Sequence, residues 1–100
     1  MIDRQTAYDS KKNAKNSLVH FKTQLLILEK DLADRRSARI LQGFDGKTNE
    51  AQREAVLQTE LAPEIQAVTL AKINVLKAQA IYDNACLDVN FVDFRVDADE

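Results

Sequence analysis

The chain contains two glycines and one proline, Gly43, Gly46 and Pro63, and all three lie near its middle. Residues 3–41 and 64–100 therefore run without either residue. A β-rich fold needs a turn every few residues, so this scarcity directs the chain toward long helices. The apolar pattern agrees. From Val68, steps of three and four reach Ala71, Val75, Ala78, Tyr82, Ala85, Val89 and Val92, all apolar. That spacing forms one stripe on an α-helix, the seam of a coiled-coil-like pairing.

A matching stripe precedes it: Ala7, Lys11, Ala14, Leu18, Phe21, Leu25, Leu28 and Leu32, with Lys11 the polar member. Leu26 and Ile27 widen this face, and Lys30–Asp34 and Asp31–Arg35 are opposite-charge pairs at i,i+4. A helix of about 30 residues spans roughly 45 Å and needs a partner along its length. The two stripes supply each other with one. The expected fold is all-α, a single domain forming an antiparallel hairpin of two long helices with a short connecting helix.

The punctuation sets the boundaries. A long helix is predicted over 3–41 and a loop over 42–48, where Gly43 stops the helix and Asp45-Gly46 makes a turn. Asn49, with Gln52 three residues later, reads as a capping box, and Glu50 complements the dipole of the helix that follows. That short helix is predicted over 50–61, with Ala51, Ala55, Val56 and Leu61 inward. Pro63 then opens a long helix over 63–93, either after a break or as the kink of one helix. An acidic, frayed tail is expected over 95–100.

The second long helix carries another apolar row, Ile73, Leu76, Ala80 and Leu87, beside the seam. One hairpin partner cannot easily bury both rows, so either the short helix over 50–61 folds back over the second row or a second protomer covers it. The row is the candidate protein interface, for a second copy of the chain or another helical protein.

Charge adds an alternative. Residues 1–40 hold nine Lys/Arg against five Asp/Glu, a net +4, and residues 41–100 hold five against eleven, a net −6. Opposed halves suit an antiparallel pair. The basic residues Lys11, Lys15, Arg35, Arg36 and Arg39 are also the candidate phosphate contacts of a nucleic-acid-binding protein. No aromatic platform accompanies them, and the overall charge is −2.

Catalytic chemistry has little to build on. His20 and Cys86 are the single histidine and single cysteine, so one chain cannot assemble a Cys/His zinc site or a nucleophile–histidine set. Asp45-Gly46-Lys47-Thr48 shares the end of a phosphate-binding loop, but Leu41 stands where its first glycine belongs. No enzyme, cofactor, metal or small-molecule substrate is expected. Apolar runs fall short of the roughly 18 residues of a membrane span, and a lone cysteine suits a reducing cytoplasm.

One stretch carries a family likeness. Gly46-Lys47-Thr48-Asn49-Glu50-Ala51-Gln52-Arg53-Glu54-Ala55 resembles the Gly-Lys-Asn-Glu-Ala-x-Arg-x-Ala signature of small helical proteins of tailed phages and prophages. Phe91-Val92-Asp93-Phe94-Arg95 is similar to the Phe-x-x-Leu-Arg ending of their last helix. Thr48 is an extra residue here, and the C-terminus is acidic where those proteins continue apolar and basic. The resemblance implies a phage or prophage product in a bacterial host, and no particular activity.

Overall fold

A computed structural model describes residues 3–47 and 49–99, with side chains through Arg95. The helices are α1 (Arg4–Gln42), α2 (Glu50–Glu60) and α3 (Ala62–Asp99), and no strand occurs among the described residues. The two long helices pack against each other as an all-α hairpin. Contacts divide the chain into two compact units, residues 1–23 with 73–100 and residues 24–72.

In the first unit the opening half of α1 runs antiparallel to the closing half of α3. Ala7 clusters with Val89 and Val92, while Ala14 and Phe21 share a groove with Ala78 and Asn74. Rising numbers on one helix thus meet falling numbers on the other. Ala7, Ala14, Ala78 and Ala85 are all buried, and such small side chains allow the helices to approach closely. Tyr8 Oη donates to Asp93 Oδ2 at 2.7 Å, and Arg4 Nε lies 3.4 Å from Asp93 Oδ1, tying the ends together.

The second unit holds the rest of α1, the loop, α2 and the start of α3. Leu57, Leu61, Val68 and Ala71 are its buried apolar side chains, with Leu25, Leu28 and Leu32 of α1 half-buried. Every member of both predicted seams is buried or half-buried. Lys11 is half-buried, its polar end reconciled with the seam by a long apolar stem.

Helix ends follow local chemistry. Asp3 caps α1 by accepting from the Thr6 backbone N–H at 2.7 Å. Gly43 (φ 82°) ends α1, its N–H donating to the Ile40 carbonyl. Gly46 (φ 71°) completes a turn closed by Lys47 N–H to the Phe44 carbonyl. Asn49 caps α2, accepting from the Gln52 N–H at 2.8 Å.

Two features differ from expectation, the end of α3 and the inward face of α2. Leu61 alone separates α2 from α3, and Pro63 sits in the first turn of α3, where its missing N–H costs little. The backbone ladder almost bridges the junction, with Leu61 N–H to the Leu57 carbonyl and Ile65 N–H to the Leu61 carbonyl. Helix α3 continues through the expected frayed tail to Asp99, since no Gly or Pro interrupts it; Glu100 lies outside the described residues. In α2 the inward residue is Leu57, while Ala51 and Ala55 are exposed and Val56 is half-buried. Burying a leucine removes far more apolar area from water than burying an alanine, so the helix rotates to bury Leu57.

Candidate protein-interaction surface

Within the first unit, the side of α3 away from the seam is also patterned. Ile73, Lys77, Ala80, Asn84, Leu87, Phe91 and Phe94 follow steps of four and three, half a turn from the buried stripe. All seven are exposed. Leu87 is 64% exposed, Phe91 61% and Phe94 71%, values at odds with a structural role inside this chain. Leu76 and Ile81 flank the row and are exposed to a similar degree.

The predicted residues Ile73, Leu76, Ala80 and Leu87 therefore lie together on one open face. Ile81, Phe91 and Phe94 belong with them and were missed. Their signal was legible, because the spacing that extends the row from Ala80 reaches Phe91 and Phe94.

The equivalent side of α1 is chemically different. Asp9, Asn13, Asn16, His20 and Thr23 repeat the same spacing, are exposed and are polar. Water satisfies that side, and one face of the unit remains apolar. With on the order of 200 Å² per large apolar side chain, Ile73, Leu76, Ile81, Leu87, Phe91 and Phe94 leave roughly 700 Å² in water. The Arg95 guanidinium, 6.0 Å above the Phe91 ring, bounds the face at one end.

A groove of about 280 Å³ continues the face toward α1, lined by Ala14, Ser17, Phe21, Asn74, Lys77, Ala78 and Ile81. A second cavity, of about 440 Å³, lies in the other unit at the loop, where Ile40, Phe44 and Leu57 meet Lys47, Arg53 and the Arg36–Glu54 pair.

The basic candidates divide. Arg36 donates to both carboxylate oxygens of Glu54, at 2.9 and 2.7 Å. Arg39 pairs with Glu60, donates to the Gly43 carbonyl at 2.6 Å and lies over the Phe44 ring at 4.7 Å. Arg35 holds Asp31 at 2.9 Å and lies 3.5 Å from Glu64. Hydrogen bonds from Arg36 and Arg39 hold the Glu54 and Glu60 carboxyls below their ordinary range, and the arginines are raised in turn. The structure brings these three arginines together as cross-links of the fold. Lys11 is half-buried and Lys15 exposed, on the other unit.

His20 is exposed, its ring edge-on to Phe21 at 5.5 Å, and Cys86 is half-buried. Among the described residues, no cluster of three or more His, Cys, Asp or Glu could hold a metal ion, and no helix is long and apolar enough to cross a membrane. The loop signature has a local explanation. Gly46 supplies the positive φ, Asn49 the cap, and Arg53 Nε reaches back toward the Lys47 carbonyl at 3.4 Å. No family model, curated protein or solved structure matches the chain.

Proposed function

We propose that this chain is a non-enzymatic helical module for protein–protein interaction or structural assembly, and that it self-associates. The observation carrying this reading is the exposed apolar row on α3, Ile73, Ala80, Leu87, Phe91 and Phe94 with Leu76 alongside, set against a polar row on α1. Leaving such a face in water is unfavourable, and covering it with another helix removes the penalty. The likeness of residues 46–55 to the phage and prophage signature supports a viral product working in the bacterial cytoplasm. Arg35, Arg36 and Arg39 already hold carboxylates, which favours the interaction reading over the nucleic-acid one.

Replacing Ile73 and Leu76 together with Asp tests the proposal. The expected result is a lower solution mass with the helical circular dichroism retained. Loss of helicity in that variant would make these residues core and sink the reading.

A further inference from the structure

We infer that the outward face of α3 docks antiparallel onto the same face of a second copy, with Ile73 of one protomer against Phe91 of the other. The inference rests on the interaction reading above and commits it to a partner, an orientation and a register. Three observations lead there.

The first is area. The apolar face alone approaches the roughly 800 Å² that each partner contributes to a standard interface. A self-complementary face closes by two-fold symmetry and leaves no open end.

The second is the position of two polar residues. Lys77 and Asn84 interrupt the apolar row, and a polar residue within a helical seam specifies register and orientation. A parallel pair would set Lys77 beside its own copy, a like-charge contact within the seam. The antiparallel register instead puts Lys77 next to the partner's Asp88, and symmetry makes that ion pair twice. Both side chains are exposed. In this register Ala80 meets Asn84 across the interface, and the Lys77 stem packs on Leu87.

The third is what surrounds the row. Ile81 flanks it at the mouth of the groove lined by Ala14 and Phe21, and the two-fold axis brings Ile81 opposite its own copy. Sliding the pair by one heptad places Lys77 beside the partner's Arg95, a like-charge contact that disfavours the alternative.

Cysteine pairing tests the arrangement in the full-length chain with Cys86→Ser as background. Ile73→Cys and Phe91→Cys are prepared separately, oxidised alone and as an equimolar mixture, and scored for disulfide-linked dimer. The inference predicts dimer mainly in the mixture. It further predicts that Lys77→Asp or Asp88→Lys alone raises the dimer dissociation constant at least about tenfold, and that combining them restores it. Equal or greater yield from each variant alone would indicate a parallel pair and overturn the register. A folded Leu87→Asp variant together with no cross-linking in the mixture would remove the second copy as partner and with it self-association, leaving only interaction with a different helical protein. An unfolded Leu87→Asp variant would remove both.

Discussion

Leu57 is the residue on which the seating of α2 depends. It is 3% exposed, whereas the two alanines that precede it in α2, Ala51 and Ala55, lie in water. Replacing Leu57 with Ala deletes three carbon atoms from a buried site, a loss of about 2.4 kcal/mol at about 0.8 kcal/mol per carbon. A cavity term normally adds to such a loss. Here Leu57 already borders the open cavity at the loop, so the added void is small and the total stays near 2.5 kcal/mol. In a 100-residue chain each kcal/mol moves the midpoint by about 4–8 °C, so Leu57→Ala should melt about 10–20 °C lower. Ala55→Ser, at an exposed position, should change stability by less than about 0.5 kcal/mol. Thermal denaturation followed by far-ultraviolet circular dichroism measures both. A shift under about 4 °C for Leu57→Ala, or an equal shift for Ala55→Ser, would refute this orientation of α2.

Three further outcomes are expected. Glu54 and Glu60 are held below the ordinary carboxylate value of 4.5 by their arginines, so folding binds fewer protons there than the unfolded chain. Their contribution is complete above that value and disappears as pH falls through the folded pKa values, so the melting midpoint should be level from pH 7 to about 5 and fall below it. Glu54→Gln with Glu60→Gln should flatten the acid limb, and a wild-type midpoint unchanged down to pH 3 would contradict the assignment. Asn49→Ala removes the cap of α2 and should cost about 1 kcal/mol in urea unfolding, with Asn49→Ser close to wild type. Ala7 is 1% exposed against Val89 and Val92, so Ala7→Leu overpacks the seam and should cost about 1–3 kcal/mol in the same assay.

The long seams were legible because helical periodicity and near-absence of Gly and Pro pointed the same way at every turn. Lys11 did not disturb the reading, since a long stem lets a cation occupy a half-buried position. The loop was legible for a related reason: Gly43, Gly46 and Asn49 each have one local role that their chemistry serves well. Short α2 was harder. Eleven residues give barely three turns, and Ala51, Ala55, Val56 and Leu57 leave its inward arc ambiguous until α1 is in place. The side facing α1 is then fixed by Leu57 together with the two-pronged Arg36–Glu54 contact, a long-range pairing that sequence spacing cannot announce.

The candidate surface is half legible. Ile73, Leu76, Ala80 and Leu87 form a surplus row in the sequence, whereas Phe91 and Phe94 continue it inside a stretch whose other residues follow no such pattern. Placing the row opposite the seam required both helices, because only the contrast with Asp9, Asn13 and Asn16 shows which side water already satisfies. The same holds for Arg35, Arg36 and Arg39. In sequence they form a basic cluster with phosphate-binding potential, and their carboxylate partners lie as far away as Glu60 and Glu64.

Solution mass by light scattering after size-exclusion chromatography, over a wide concentration range, tests the interaction surface most directly. The account predicts a mass that rises from 11.3 kDa toward twice that value for the wild type, and that stays at 11.3 kDa for the Ile73→Asp, Leu76→Asp variant. A wild type fixed at 11.3 kDa at every concentration, indistinguishable from that variant, would contradict it.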